Sequence, residues 1–453
     1  MSLVCEGFER QAAATGRGLG FDGLPLAMLR GHVDAQSYDD MVASFLEHTV
    51  DEVIAGLTTP IRIDADGVAE PAALDVVARG TIDEIHRTFA QRGWSDGLAI
   101  IPPTRDRVDA FIAVTGHDPW RLIGTARPSG RDITVWSIAV NAVMAGCEPE
   151  QLPVLLAIAE TFVDPHYGVE HSGNTTGADA LVIVNGPVIG ELGFNHGPGA
   201  MRDGAGGPNT VVARWLRLFL RNVHGFTADE HDKATFGNSS RVVLAEDEAA
   251  LAEIGWQPVA AEFGHPAGTD AVTIARMNSG IIVGSVFGST PEQILPSLAD
   301  GLARVVGWDL THVYGLGQGQ QRPLLVLSPV LARIFGRAGW SKADVRHALF
   351  EQARIPAWRF EKLIGEWSNL TAGRRTLVEL AAAGLVPPAF AETPDPDRLV
   401  PIVTAPEKFV IAVAGDPNRT NAYVMSSDGP HGNWTSTRID RSFSTDLVCS
   451  IGP

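Results

Sequence analysis

Cys147 is the side chain of this sequence that is best placed to act as a nucleophile. It lies between two helical patterns, over 134–146 and 150–162, close to the start of the second one. A thiol near the N-terminus of a helix has its thiolate stabilised by backbone N–H groups that have no partner within the helix. The alternative is a small, unreactive core residue, the usual fate of a single cysteine. The position therefore predicts either a reactive or a packed thiol.

Two polar side chains are candidates to act together with this thiol. Asp96 lies in the run Trp-Ser-Asp-Gly, and Asn141 lies within the helical pattern over 134–146. Both stand beside apolar stretches, where capping of a turn or helix is the alternative role. We expect a pocket in which Cys147 lies close to Asp96 or Asn141.

A glycine-rich stretch, 193–209, separates an apolar strand pattern from a helical pattern over 210–223. This order brings backbone N–H groups and a helix N-terminus to bear on an anion. The stretch matches neither the GxGxxG nor the P-loop pattern, so it gives no nucleotide signal. A purely structural turn is the alternative.

Three arginines of the following helix, Arg214, Arg217 and Arg221, share one face because they are spaced by three and four residues. Together with Arg202 and Asn209 from the loop, Arg214 is predicted to bind a carboxylate or phosphate group of a substrate. A solvated basic stripe on the helix is the alternative.

Three histidines raise the possibility of a metal site. His166 and His171 lie in the run Asp-Pro-His-Tyr-Gly-Val-Glu-His, and His196 lies in the glycine-rich loop. A divalent metal held by these side chains is the one cofactor that the sequence suggests. Isolated surface histidines are the alternative, since their spacing matches no established metal motif. His196 is also a candidate catalytic group.

A polar run over 229–237 contains Asp229, His231, Asp232 and Lys233, which together are able to relay protons. Lys233 is therefore a candidate substrate-binding residue. A solvated loop is the alternative interpretation.

The composition restricts the classes of partner. The chain has 53 acidic and 35 basic residues and a formal net charge of −18, which argues against nucleic acid as a partner. Its three cysteines form no disulfide or zinc-binding pattern, which favours a reducing compartment. The sequence shows no signal-peptide or membrane-spanning pattern. We expect a cytoplasmic protein, without membrane or nucleic-acid partners, that acts on a small molecule.

Strand and helix patterns alternate along most of the 453 residues, which predicts an α/β fold with mixed or mostly parallel sheets flanked by helices, in several segments. No internal repeat is evident. Strands are predicted at 24–30, 61–64, 98–101, 180–184, 271–276, 280–287, 323–327 and 408–414. Helices are predicted at 37–57, 72–92, 105–116, 210–223, 291–306 and within 329–374.

Four regions are predicted. Residues 1–60 form a partial α/β segment, 61–386 the main catalytic region, 387–401 a proline-rich linker and 402–453 a C-terminal α/β tail. The first region is too short for a sheet of its own. We therefore expect it to dock on the main body or across the interface of a homo-oligomer.

Several blocks of sequence resemble a bacterial family that occurs with, or fused to, a domain named for a Sec-Gly-Ser-Cys motif (UGSC-type). The first block is Gly-Trp-Ser-Asp-Gly-Leu-Ala-Ile-Ile-Pro-Pro-Thr at 93–104, and the second contains Cys147. Shorter similarities are Thr175-Thr176, Val184-Asn-Gly-Pro, Asn209 to Arg214, and Gly-Trp-Ser-Lys-Ala-Asp-Val-Arg at 339–346. Residues 3–60 resemble the C-terminal half of the UGSC-type domain.

The resemblance implies thiol or selenol redox chemistry with Cys147 as a site residue, and Thr175 and Thr176 as substrate-binding residues. It also implies a selenoprotein-type subunit as a possible partner. The chain itself contains neither Sec-Gly-Ser-Cys nor Cys-Gly-Ser-Cys, so no redox pair is carried over.

Three functions follow from these patterns. The first is an enzyme that acts on a small organic anion by redox or lyase-type chemistry at Cys147. The second is a metal-dependent hydrolase or hydratase that uses the histidines. The third is a non-catalytic subunit that partners a selenoprotein.

Overall fold

A computed structural model of the protein describes residues 1–33, 35–60, 71–202, 207–228, 230–238, 242–305, 321–368, 376–428 and 432–442. The predicted strand at 61–64 lies outside these residues. Within them, no helix combines the length and the apolar character needed to cross a bilayer.

The chain begins with a small parallel pair of strands. β1 (Ser2–Cys5) and β2 (Leu26–Leu29) are joined by α1 (Glu9–Gly18). They are followed by α2 (Tyr38–Ser44), a π-helical turn at Phe45–Thr49 and α3 (Val50–Thr58). The Oγ1 of Thr49 donates to the carbonyl of Met28, and the Glu52 carboxylate accepts from its N–H, so these helices cover the backbone of β2.

A helical layer precedes the main sheet. It consists of α4 (Ile82–Gln91), α5 (Arg105–Thr115), a hairpin of β3 (Leu122–Thr125) and β4 (Asp132–Thr134), α6 (Val135–Ala145) and α7 (Leu152–Val163). A capping box of Thr134 and Ser137 begins α6, and Gly146, with φ of +87°, ends it. Most residues of α6 and α7 are apolar, and both helices are almost wholly buried.

The remaining elements form the sheet and its flanking helices. The strands are β5 (Asp179–Asn185), β6 (Val242–Ala245), β7 (Ala271–Val283), β8 (Leu324–Leu327), β9 (Arg354–Pro356), β10 (Leu399–Pro401), β11 (Val410–Val413), β12 (Ala422–Ser427) and β13 (Thr435–Arg438). The helices are α8 (Val188–Leu192), α9 (Pro208–Asn222), α10 (Glu248–Glu253), α11 (Val259–Glu262), α12 (Pro291–Val305), α13 (Pro329–Arg337), α14 (Lys342–Gln352), α15 (Trp358–Phe360) and α16 (Leu377–Ala382).

The main sheet is mixed, with the strand order β11-β8-β12-β7-β5-β6, and β13 pairs with the first half of β7. β5 is parallel to β6, and β8 is parallel to β11, while the pairs at the centre of the sheet are antiparallel. Helices pack on its faces. The predicted α/β class with a mixed sheet flanked by helices is confirmed.

The sheet consists of two halves of the same topology. In each half a parallel pair of strands continues into a third, antiparallel strand: β6-β5-β7 in the first half and β11-β8-β12 in the second. Each inner strand of a pair, β5 or β8, is followed within three residues by a proline and a helix. This duplication is not visible as a sequence repeat, because the segments that join the strands differ.

Alternate residues of the strands face opposite sides, and both sides are buried. One side packs against α6, α7 and α9 in the first half and against α12, α13 and α14 in the second. The other side forms a cluster shared by both halves. Burial on both faces explains why β5 and β8 are apolar without alternation. The members of the shared cluster include Leu181, Ile183, Leu244, Leu324, Val326 and Ala412.

The sheet curls until its two edge strands meet. The N–H of Asp247, just after β6, donates to the carbonyl of Val413 at the end of β11, at 2.7 Å. The neighbouring Glu246 carboxylate accepts from the N–H of Val413 at 3.3 Å. It also accepts from the Nδ2 of Asn185 at 2.8 Å and the N–H of Val259 at 2.7 Å. Glu246 therefore joins both edges of the sheet to α11.

Several predicted elements differ from those observed. Of the predicted helix over 72–92, only α4 is helical, because Thr81 and Glu84 form a capping box that starts the helix there. Residues 98–101 form no strand. The two strands predicted at 271–276 and 280–287 are one continuous strand, β7, that bridges the two halves of the sheet.

The predicted linker does not separate two units. Within 387–401, Phe390 and Arg398 are buried, and β10 pairs with β9. The following strand, β11, enters the main sheet beside β8. The prolines of this stretch therefore shape a packed segment, and residues beyond 401 complete the sheet of the main region instead of forming a separate tail.

The N-terminal region contacts the main body through a close backbone approach. A Cβ added to Gly18 would lie 1.7 Å from the carbonyl oxygen of Pro128, and one added to Gly130 would lie 2.6 Å from the carbonyl oxygen of Gly18. The Lys233 ammonium lies 5.6 Å from the ring centroid of Phe8. Docking therefore depends on the absence of a side chain at Gly18.

Replacement of Gly18 by Ala should loosen this contact, because a methyl group has no space beside Pro128. We expect a loss of about 1 to 3 kcal/mol in docking free energy and about tenfold or more faster proteolysis within residues 1–33. Gly190→Ala is the matched control, since a Cβ at this helical glycine meets nothing within 4 Å. Equal cleavage rates in the two variants would contradict the docking model.

Candidate functional site

The described residues enclose a polar cleft of about 330 Å³ beside the second half of α9. We call it the α9 cleft. Its walls are α9, the loop over 172–179 that leads into β5, the segment over 232–238, and Asp96. Its polar lining residues are Asp96, Ser172, Asp179, Arg217, Arg221, Asp232 and Asn238. The volume is at the lower end of the range for small-molecule sites.

The arginine face of α9 holds the loop that carries Asp96. The Nε and Nη2 of Arg214 donate to the two carboxylate oxygens of Asp96 at 3.2 and 3.1 Å, and Nη2 also donates to the carbonyl of Ala99. The guanidinium of Arg221 donates to the carbonyl of Gly93. The structure thus joins two residues that the sequence predicts in separate sites, Asp96 and Arg214, in a bidentate ion pair.

Asp96 is an ionised carboxylate in this setting. Only 2% of its side chain is exposed, and burial alone would raise its pKa. The hydrogen bonds and positive charge of Arg214 outweigh this effect, so the pKa of Asp96 lies below its ordinary value. The carboxylate therefore serves as a hydrogen-bond acceptor near neutral pH and not as a proton donor.

Asn174 shapes the loop over 172–179. Its Oδ1 accepts hydrogen bonds from the N–H groups of Gly177 and Ala178 and from the hydroxyl of Thr176. Its Nδ2 donates to the carboxylate of Asp428 at 2.8 Å. A single amide therefore fixes the turn that opens β5 and links it to the end of β12.

Asp428 is in turn anchored by a buried ion pair. The Nε of Arg276 donates to its Oδ2 at 3.0 Å, and both side chains are only 1% exposed. Arg276 also donates to the carbonyls of Tyr167 and Gly168. A buried polar network thus holds the loop over 172–179, which forms one wall of the cleft.

Two glycines let the loop and the third wall approach each other. Gly173 and Gly177 have φ of +75° and +77°, and a Cβ at either would lie within about 3 Å of backbone atoms of the segment over 231–237. The N–H of Lys233 donates to the carbonyl of Gly173, and the N–H of Thr235 donates to that of Thr175. These contacts bring Asp232 and Asn238 to the cleft.

The cleft combines cationic and anionic side chains. Arg217 and Arg221 come from one face of α9, while Asp179 is the first residue of β5 and Asp232 comes from the segment before β6. Guanidinium groups bind carboxylates and phosphates, and carboxylates bind hydroxyl and amino groups. The lining therefore suits a small ligand that carries an anionic group together with hydrogen-bond donors.

Cys147 lies in the hydrophobic core and does not line the cleft. It is 6% exposed, and its Sγ lies 3.6 Å from the carbonyl of Val211. Burial, together with the charge of Glu148, raises the pKa of the thiol. This is the opposite of the effect predicted from its position before a helix, because the side chain is packed in the core, where the charged thiolate is disfavoured.

Asn141 and Asn209 have structural partners. The Oδ1 of Asn141 accepts from the Nδ2 of Asn222, which also donates to the carbonyl of Trp94, so Asn141 positions the Asp96 loop indirectly. Asn209 is buried at the start of α9 and donates to the carbonyls of Asn195, Ala200 and Val243. It ties the glycine-rich loop to β6.

The candidate histidines do not converge. His166 is largely exposed and contacts Asp164 at 2.8 Å, and His171 ends a short 3-10 helix on the surface. The Nδ1 of His196 lies 3.7 Å from the Asp247 carboxylate, near the end of β6. Among the described residues, no group of three or more His, Cys, Asp or Glu side chains is arranged to hold a metal ion.

The other predicted substrate-binding residues lie around the cleft and not in it. Within the loop, the hydroxyl of Thr176 lies at hydrogen-bond distance from the Oδ1 of Asn174. The same hydroxyl also contacts the Oδ1 of Asn278 in β7, and Thr175 is exposed. Lys233 points towards Phe8. Arg202 is exposed on the glycine-rich loop, which in the described part forms no lining of the α9 cleft.

Asp179 is the cleft residue that the sequence patterns did not single out. It is 7% exposed and opens β5, an otherwise apolar strand. A carboxylate at the first position of a buried strand was the available signal, because a charge in such a place needs a partner or a ligand.

Arg214→Gln should weaken the attachment of the Asp96 loop, because it leaves a buried carboxylate with one neutral donor. Since Arg214 is partly exposed, we expect a loss of about 2 to 3 kcal/mol in unfolding free energy at neutral pH. The exposed pair of Arg105 and Asp109 on α5 gives the control, Arg105→Gln, with a loss below about 1 kcal/mol.

The loss caused by Arg214→Gln should also depend on pH. A carboxyl whose folded pKa is lowered stabilises the fold above its unfolded pKa of about 3.9, and this contribution disappears as the pH falls through the folded pKa. Chemical denaturation at about pH 7 and about pH 3 measures the effect. A loss of equal size at both values would show that the ion pair is not its source.

Cys147 should react slowly with a soluble thiol reagent. In a variant that carries Cys5→Ser and Cys449→Ser, we expect labelling near pH 8 to be at least roughly tenfold slower than for a free cysteine, whose pKa is about 8.5. Labelling in denaturant provides the control for full reactivity. Rapid labelling of the folded variant would restore Cys147 as a reactive thiol.

The fold and this site were compared with known proteins. No protein-family model matches the chain, and neither a curated protein nor a solved structure shows significant similarity to it. The cleft therefore has to be interpreted from its own geometry.

Proposed function

We propose that the protein is an enzyme that acts on a small organic anion in the α9 cleft. The observation that carries the proposal is that two arginines, Arg217 and Arg221, and two aspartates, Asp179 and Asp232, line the same cleft of about 330 Å³. Opposite charges that line one concave space select a ligand with complementary groups.

The substrate class follows from the lining. Arg217 lines the cleft with an exposed side chain, which places its guanidinium where a carboxylate or phosphate group of a ligand would bind. Asp96 and Asp179 offer acceptors for hydroxyl or amino groups. We propose a hydroxy acid, an amino acid or a sugar phosphate as the class of substrate, since each combines both features.

The reaction that suits these groups is lyase-type bond cleavage begun by proton abstraction. Asp179 or Asp232 accepts the proton from the carbon beside the anionic group, and the guanidinium groups of α9 stabilise the negative charge that develops there. The electron pair then forms a double bond to the next carbon and expels the hydroxyl or amino group on that carbon, which leaves as water or ammonia with a proton returned by the aspartic acid. Asp96 is held by Arg214 and orients the substrate. Cys147 takes no part, because its buried, protonated thiol is a poor nucleophile and has no access to the cleft.

Binding of organic anions provides the test. Succinate, malate and glycerol phosphate, titrated calorimetrically, serve as probes of the class. We expect the tightest of them to bind Arg217→Met at least about tenfold more weakly than the native protein, since a charged hydrogen bond contributes about 1.5 to 3 kcal/mol. Asp179→Asn should keep the binding of succinate and weaken that of malate, because only malate carries a hydroxyl donor.

Arg105→Met, on the exposed surface of α5, is the matched control and should bind like the native protein. Equal affinities of the native protein and Arg217→Met for every probe would reject the α9 cleft as the anion site.

A further inference from the structure

Positive charges converge where β8 and β11 begin. These strands are parallel, with Leu324 beside Val410 in register, and the N–H of Val410 donates to the carbonyl of Pro323 at 2.9 Å. Arg322 and Lys408 each lie two residues before this pair, so they are neighbours across the two strands. Like charges in adjacent positions destabilise a sheet unless something compensates them.

A third cation joins them from α14. The Nε of Arg346 donates to the carbonyl of Phe409 at 2.8 Å, directly beside Lys408. Its Nη2 pairs with the Glu262 carboxylate of α11. Only 15% of the Arg346 side chain is exposed.

The nearby carboxylates are already engaged. Glu262 is shared between Arg346 and Lys342, whose Nζ lies 3.2 Å away. Glu246 is fully buried and accepts three hydrogen bonds in closing the sheet, with Lys342 at 3.8 Å. In the described part of the chain, neither Arg322 nor Lys408 has a carboxylate within ion-pair distance.

Polar groups beside these cations lack hydrogen-bond partners. The guanidinium of Arg322 lies over the ring of Phe263, 5.0 Å from its centroid, and its buried Nε has no acceptor among the described residues. Both amide atoms of the adjacent Gln321, 2% exposed, also have none. Buried polar groups in folded proteins are nearly always satisfied, so these exceptions indicate a missing partner.

The crowding of charge is consistent with this interpretation. Burial lowers the pKa of Lys408, the charge of Arg322 lowers it further, and Glu407 partly opposes these effects. Burial likewise lowers the pKa of Arg322; the charge of Glu262 opposes this effect, and the charge of Arg346 adds to it. An anion placed between these groups would relieve both effects.

We propose that Arg322, Lys408 and Arg346 form a binding site for a small anionic group of the phosphate or carboxylate type. The site is distinct from the α9 cleft. β8 runs antiparallel to β5, so these two strands begin at opposite ends of the sheet along the strand direction, and the cleft lies at the end where β5 begins. The proposal does not rest on the function assigned to the cleft.

Inorganic phosphate is the first probe, titrated calorimetrically into the full-length protein at constant ionic strength, with carboxylate tested as acetate in a second titration. We expect saturable binding of at least one of the two. Lys408→Gln should weaken this binding about tenfold or more, because it removes a charge-assisted contact from a half-buried cation. Its fold is checked by circular dichroism and thermal unfolding.

Two further variants make the result specific. The titrations are repeated with Arg217→Met, which weakens anion binding in the α9 cleft, and the binding that depends on Lys408 should persist in this variant. Arg322→Lys keeps the charge, changes the geometry and should weaken the binding even if Lys408→Gln does not fold. The proposal is overturned if neither anion binds the native protein, if Arg217→Met abolishes binding, or if the folded variants at Lys408 and Arg322 bind as tightly as the native protein does.

Discussion

The buried carboxylate of Glu246 is the constraint on which the arrangement of the molecule depends. It stands at the end of one edge strand and accepts a hydrogen bond from the last residue of the other, so the curled sheet closes around it. Burial raises its pKa, while Lys342 and the hydrogen bonds favour the charged form. Every donor has to be in place at once, because an unpaired charge in such a position costs several kcal/mol. The hydrogen bonds to Glu246 therefore hold the two edge strands, β6 and β11, together.

The two halves share a topology but present different chemistry at their strand starts. At the start of β5 stands Asp179, and Asp232 lies in the segment before β6. Both line the same cleft as Arg217 and Arg221, which gives the cleft its mixed charge. Before β8 and β11 it places Arg322 and Lys408 side by side, with the local carboxylates engaged elsewhere. A duplicated scaffold of strands thus supports two sites, because strand order determines which loops meet and the residues of the loops determine what they bind.

The features that were predictable from sequence are those governed by local periodicity. The apolar strand around Ile183 and the shared face of Arg214, Arg217 and Arg221 follow from spacing alone. The sequence left open whether Cys147 is reactive or packed, since the helix that covers it begins some 60 residues later in the chain. The packing of 387–401 depends on β9 and α15, which proline content does not reveal. Whether Asp96 lies near Arg214 likewise depended on tertiary contacts, and the sequence offered only the residue types.

The contact between Asn174 and Asp428 has a consequence for synthesis on the ribosome. The two residues are separated by 254 positions, and their hydrogen bond, with the Arg276 ion pair behind it, holds the loop that opens β5. At a translation rate of about 5–20 residues per second, the loop emerges on the order of ten to fifty seconds before its anchor. During that interval the first half of the sheet lacks its central neighbour β12, and the apolar face of β7 is open to solvent or to a chaperone. The nascent chain therefore acquires this part of the cleft only after Asp428 has been synthesised.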